Sequence, residues 1–490
     1  MKRNGKVTQS ELDGVQYRRS PTWRIALSQM SQASTGIMCI LGSYMSYLAN
    51  AGYGVAVALS GILITVVCIF DGITDPIVAS IVDNVNTKFG KIRLCMGIGW
   101  LMLSSMLIIM FRVLATGEKG PVVFTISYML YIIGYTLFDI AARCIPPVMT
   151  NDPKQRPMVG VWGTFFIYIA PTISMLYFTN ILLPKHGGEY NLPMLQEACI
   201  FVVIASGITM LISCFAISKV DKPENFQGIA EQKEKVSLKD MWAMLKSNKA
   251  LQTYMWAVTS DRIAVLTSGQ AVVTTLLSGI LMRNMAAATV YGTIIMFLSM
   301  FFAIVGAKYT GKHGSKKSMV TWTIASMVIA VVTFVFYLSV DMSKIYVVPM
   351  LTAINFILGL ALNGTKMACS TTVTSMMSDI VDYQMFETGK YMPAAVTATY
   401  SFLDKMIGAF SSTIALGLVA LVGYTKVMPQ PNDPATPVIF WITMFITLGM
   451  PMIGWIITLI AMKFSPLSRE KMIEVQKYIA EHKTDMKNEA

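Results

Sequence analysis

The sequence predicts an all-α polytopic membrane protein with twelve transmembrane helices in two six-helix halves. Three observations predict it. The 490-residue chain is 54% hydrophobic and 13% charged, with a mean hydropathy of +0.57, whereas soluble chains carry about 25% charged residues. Its apolar residues fall in repeated stretches of about 20, the length a helix needs to cross the hydrocarbon core. Lysines and arginines gather in alternate loops, which the positive-inside rule assigns to one side of a twelve-span chain.

Taken in order, residues 1–23 form a polar, basic N-terminal segment on the cytosolic side. No removable signal peptide is expected, because the first apolar stretch is itself long enough to span. Spans 24–50, 55–83, 93–114, 121–147, 157–183 and 195–218 build the first bundle, residues 24–218. A lysine-rich linker at 219–250 follows, with a surface helix expected near Leu238–Leu245. Spans 251–281, 286–309, 318–340, 345–378, 391–422 and 438–463 build the second bundle, residues 251–463, before a cytosolic tail at 464–490.

A weak repeat runs through this pattern. Asp83–Arg93 (DNVNTKFGKIR) follows span 2, and Ala307–Lys317 (AKYTGKHGSKK) follows span 8. Two halves with a basic, glycine-containing turn at the same place suggest the parallel repeats of a transporter. The seven cysteines are scattered, without Cys-x-x-Cys spacing, and read as small packing residues. The formal charge of +12 is accounted for by the loops, so no nucleic-acid partner is expected.

The chain is organised around Phe70-Asp71-Gly72-Ile73-Thr74-Asp75-Pro76 in span 2. Asp71 and Asp75 are four residues apart and share a helix face. A carboxylate at membrane depth costs several kcal/mol unless paired, solvated or protonated, so two together imply a cation nearby. Sodium favours several hard oxygen ligands, which Asp71 and Asp75 supply with Thr74 beside them; a proton needs one carboxylate of raised pKa. Either Na+ or H+ would answer such a pair, with Asp71 and Asp75 as the metal ligands in the sodium case. The sequence shows no other metal-ligand cluster, no nucleophile elbow and no organic cofactor motif, which points away from an enzyme.

These residues carry a resemblance. Asp71-Gly72-Ile73-Thr74-Asp75-Pro76 running to Asp83 and Phe89-Gly90-Lys91-Ile92-Arg93, with Asp379-Ile380-Val381-Asp382-Tyr383, Glu387, Thr388 and Gly389 later, resembles the glycoside–pentoside–hexuronide:cation symporter family of the major facilitator superfamily. The likeness covers residues 22–465. It implies two pseudo-symmetric six-helix bundles and alternating access around a midplane site. From the melibiose-permease pattern it implies a coupling cation at Asp71 and Asp75 with Thr136 in support, a sugar contact at Asp139, and Lys405 as charge partner of the acids.

Departures from the pattern shift the expected substrate. Span 1 offers no aspartate in Gln29–Gly36, and 157–183 carries no charge, whereas Arg143, Arg262 and Lys366 add cations within spans. An anionic sugar such as a hexuronide would be gripped by an arginine fork. Internal pairing is the alternative: Arg143 with Asp139, Arg262 with Asp261, Lys366 with a helical neighbour. Trp162 or Tyr400 would stack on the sugar ring. Asp83, Gly90, Lys91 and Arg93 resemble the superfamily's cytosolic gate motif, and Asp379 and Asp382 are expected to pair with lysine or arginine on that side.

The expectation is thus a monomeric, cation-coupled sugar symporter in the inner membrane, with both termini cytosolic and partners limited to sugar, cation and bilayer. A lysophospholipid symporter of the same fold is the second reading. A polytopic membrane transferase is the third.

Overall fold

The computed structural model describes residues 7–9, 16–85, 87, 89–150, 155–222, 245–246, 248–388 and 393–488. Most of the 219–250 linker, including the helix expected near Leu238, lies outside these residues. The chain forms two compact units, Met1–Lys233 with Tyr424–Met428, and Glu234–Gly423 with Pro429–Ala490. Helices make up nearly all of both. The exception among the described residues is a two-stranded ribbon, β1 (Val7–Gln9) antiparallel to β2 (Gln16–Arg18).

In the first unit, span 1 is three helices rather than one: α1 (Thr22–Ser28), α2 (Met30–Ser43) and α3 (Met45–Tyr53). The breaks fall where Gln29 and Tyr44 relax to ψ near 0°. Then come α4 (Val57–Asn84), α5 (Lys91–Arg112), α6 (Gly120–Arg143), the short α7 (Ile145–Met149), α8 (Arg156–Tyr177), a π-helical turn at Phe178–Leu182, α9 (Leu183–Lys185) and α10 (Leu192–Ile217).

The second unit contains α11 (Lys249–Ser268), α12 (Ala271–Thr274) running into a π-helical turn, α13 (Met285–His313), α14 (Ser315–Ser339) and α15 (Pro349–Thr388). It continues through α16 (Pro393–Gly408), α17 (Phe410–Leu421), α18 (Pro437–Met444), α19 (Met450–Phe464) and α20 (Arg469–Asn488).

The outer surface is apolar. On α4, Ile73, Ile77 and Ile81 are exposed at four-residue intervals while Val78 and Val82 are buried. An exposed isoleucine stripe costs nothing in lipid and would be unfavourable in water. Among the described residues nine helices are long and apolar enough to cross a membrane, or ten if α11 and the 60° bent segment after it form one span.

Without a hydrophobic drive between helices in lipid, close packing depends on small residues at the crossings. The α5–α6 crossing illustrates it. A Cβ on Gly99 would stand 2.7 Å from the Phe138 nitrogen, and one on Gly134 would stand 2.7 Å from the Leu103 nitrogen. Any larger residue at either position forces the two backbones apart. This crossing fixes α6, and α6 in turn packs on α4, which brings the span-2 acids to it.

Candidate functional site

The α4–α6 contact assembles the charged centre of the first unit. Thr136, buried on α6, donates its hydroxyl hydrogen to Asp71 Oδ1 on α4 at 2.7 Å. One turn further along α6, Asp139 Oδ2 accepts from Arg143 Nε at 2.7 Å, an i, i+4 pair. Arg143 also lies in the field of Asp75 and Tyr135, so all four charged groups belong to one neighbourhood. Asp139 is mostly buried, whereas the Arg143 side chain is 74% exposed, so the arginine can leave its acid at small cost.

Local sequence shapes this centre. Pro76 inside α4 has no N–H to give to the Gly72 carbonyl, four residues back and between the two aspartates. That carbonyl is a further oxygen facing a missing helical bond, which the sequence reading passed over. Thr74 donates to the Asp71 backbone carbonyl at 3.1 Å. An aromatic ladder of Tyr128, Tyr131 and Tyr135 lines α6 on the approach, ending where Tyr135 meets Cys39 at 3.0 Å. Trp162 stacks on Phe166 at 5.9 Å and meets Phe165 edge-on, on α8 in the same unit.

The basic turn after α4 is built around a residue the sequence reading left in the linker. Asp221, its side chain fully buried, accepts from the backbone nitrogens of Lys91, Ile92 and Arg93 at 3.0, 3.2 and 2.9 Å, and from Arg93 Nε at 3.3 Å. It thus satisfies the orphan donors at the start of α5 with a full negative charge, where the helix dipole favours one. Gly90 carries φ +97°, and a Cβ there would overlap the Asp221 carboxylate. The Asp83 side chain lies outside the described residues, so its part in this motif does too. In the second unit Gly314 takes the same conformation, φ 84° and ψ 158° against 97° and 151° at Gly90, before α14.

Among the described residues Asp379 and Asp382 are met by neutral side chains, not by the lysine or arginine expected. Asp379 Oδ2 accepts from Ser315 Oγ at 2.5 Å, and Asp382 Oδ2 accepts from Gln476 Nε2 at 2.7 Å. Arg262 likewise passes over its neighbour Asp261. Its Nε lies 3.5 Å from Asp404 Oδ2 on α16, while Asp261 Oδ1 accepts from Trp455 Nε1 at 3.0 Å. Lys366 sits over the same indole, its ammonium 5.7 Å from the ring centroid. Tyr400 packs edge-on to Tyr254 at 5.4 Å. Lys405 is exposed on α16, next to Asp404. Asp404 and Trp455 are site residues that sequence reasoning missed; an acid inside span 11 beside Lys405 was the available signal.

The site residues therefore fall in two sets. Asp71, Asp75, Thr74, Thr136, Asp139, Arg143 and Trp162 belong to the first unit. Arg262, Lys366, Tyr400 and Lys405 belong to the second.

The model of the family described as MFS/sugar transport protein matches residues 30–469. The chain is 21% identical over 424 residues to the putative glycoside/cation symporter YagG of Escherichia coli strain K12, covering 83% of this chain and 86% of that one. It is 24% identical over 445 residues to the glucuronide carrier protein homolog of the same organism, covering 88% and 89%. The solved structure of the nucleoside transporter NupG superposes with a TM-score of 0.57 at 13% identity, covering 90% of this chain and 99% of NupG, and so shares the fold. The chain is a multi-pass membrane transporter with the major facilitator fold, and it belongs to the MFS/sugar transport protein family.

Proposed function

We propose that this protein is a secondary active symporter that moves a sugar or glycoside together with Na+ or H+ by alternating access. The observation that carries the reading is the Thr136–Asp71 hydrogen bond, because it ties the span-2 acids to the helix that also bears Asp139 and Arg143. The coupling ion binds at Asp71 and Asp75, with Thr136 and Thr74 in support, and Asp139 accepts hydrogen bonds from sugar hydroxyls. Each ligand orders the other's partners, which is coupling in the thermodynamic sense. An ion between Asp71 and Asp75 weakens the pull of Asp75 on Arg143. Sugar at Asp139 then displaces the arginine, whose fork is free to take an acidic group of the substrate.

Lys405 balances the acids when no ion is bound, so that the empty carrier switches with a tolerable buried charge. Arg262, Lys366, Trp162 and Tyr400 complete the substrate contacts, and Gly90, Lys91, Arg93, Asp379 and Asp382 belong to the cytosolic gate. The protein acts as a monomer in the inner membrane with both termini cytosolic. The names of relatives, a putative glycoside/cation symporter, a lactose permease and a glucuronide carrier protein homolog, support sugar as the substrate class.

Uptake into proteoliposomes under imposed Na+ or H+ gradients tests the proposal, with neutral glycosides, pentosides and hexuronides as substrates. Accumulation of a glycoside under one gradient is expected and names the ion. Uptake of none of them under either gradient overturns the reading and turns attention to lysophospholipid.

A further inference from the structure

Three helices of the second unit carry a group of charges: Asp261 and Arg262, adjacent on α11, Lys366 on α15, and Asp404 with Lys405 on α16. Asp261 is answered by the Trp455 indole N–H and by the field of Lys366. Asp404 is answered on one side only. Its Oδ2 lies 3.5 Å from Arg262 Nε, within ion-pair range. Its Oδ1 is sealed from solvent and has no hydrogen-bond donor among the described residues. An ionised carboxylate spreads its charge over both oxygens, and a desolvated oxygen with no donor is among the costliest groups a protein interior holds.

A proton on Oδ1 removes that demand. It is also the smallest ligand, and the 17% of the Asp404 side chain that stays exposed gives water access to the carboxyl. The geometry points to Asp404 as a proton-binding carboxyl, separate from the Asp71–Asp75 centre, with Arg262 as the cation that holds it ionised. Binding takes one proton from water onto Oδ1, and release returns it; Arg262 stays charged throughout. The Arg262 side chain is 48% exposed against 17% for Asp404. Protonation of the acid therefore frees a guanidinium that already faces outward.

The groups around Asp404 are few. From α11, Arg262 and Tyr254 lie in its field; on α16, Tyr400 stands one turn before it and Lys405 follows it. On α15, Lys366 is turned to Trp455 and Asp261 instead, and α17 carries no titratable side chain.

Infrared difference spectroscopy on the full-length protein in lipid, without substrate, tests this apart from the transport reading. Between acidic and alkaline buffer, the carbonyl stretch of a protonated carboxyl should titrate away. Asp404→Asn should remove that band while Asp71→Asn leaves it in place. A titrating band unchanged in Asp404→Asn overturns the assignment. Arg262→Gln serves as a second variant should the first fail to fold. Losing the cation should move the band's midpoint toward alkaline pH by about one unit or more, and an unmoved midpoint rejects the site. Failure of sugar uptake in proteoliposomes with this band intact would fault the symport reading alone.

Discussion

Thr136 gives its hydroxyl hydrogen to Asp71 Oδ1 across 2.7 Å, joining α6 to α4 at the depth of two membrane carboxylates. A hydrogen bond to a charged group contributes about 1.5–3 kcal/mol. Thr136→Val keeps the shape and removes the donor and its lone pairs. Cation affinity, read from the ion dependence of uptake, should fall about tenfold or more, and Thr136→Ser should restore most of it. Equal ion dependence in Thr136→Val and the wild type would remove Thr136 from the ion site.

Asp75 lies one turn beyond Asp71 and acts electrostatically on Arg143. Asp75→Asn should abolish gradient-driven accumulation while leaving exchange of sugar across the membrane measurable. Uphill uptake that survives the substitution would place the ion elsewhere.

The Arg143 guanidinium is held by Asp139 through Nε, and the side chain is largely exposed. Arg143→Ala should weaken uptake of hexuronides about tenfold or more while neutral glycosides change little, since bidentate arginine–carboxylate pairs are the stronger charge-assisted bonds. Equal loss for both classes would return Arg143 to a structural role beside Asp139.

Asp221 serves three backbone donors and Arg93 from a fully buried position. Asp221→Ala leaves those donors and the arginine unanswered and should cost about 3–5 kcal/mol, seen as a fall of several degrees in the thermal midpoint in detergent. Gly90→Ala should also destabilise, because φ +97° is strained for a side chain and the added Cβ meets the same carboxylate. A wild-type midpoint in both variants would show that Asp221 does not hold the start of α5.

Much of the fold was legible because membrane spans announce themselves by length and apolarity. The acids on α4 stood out for the same reason, as charges interrupting an apolar run. Lateral pairing was not legible. Arg262 had an acid next to it in sequence, yet adjacent residues on a helix point about 100° apart, so each turned to a different neighbour, Asp404 and Trp455. Asp221 looked like one acid among many at a span's end, and only the arrival of the α5 N-terminus gives it three donors. The break at Gln29 has no proline or glycine beside it, whereas the one at Tyr44 follows the Gly42-Ser43 pair, a signal the sequence reading passed over.

The turns at Gly90 and Gly314 share a backbone conformation and differ in how they are anchored. The first is clamped by a buried anion just past the end of its bundle's last helix. After α19 in the second unit, Ser468 instead accepts from the Lys471 N–H at the start of α20, and Lys316 Nζ reaches the Ser465 carbonyl. The first turn is thus held by a buried carboxylate on backbone N–H groups and the second by an ammonium on a backbone carbonyl. Heating should melt them at different temperatures, with the α14 turn becoming open to amide exchange before the α5 turn does.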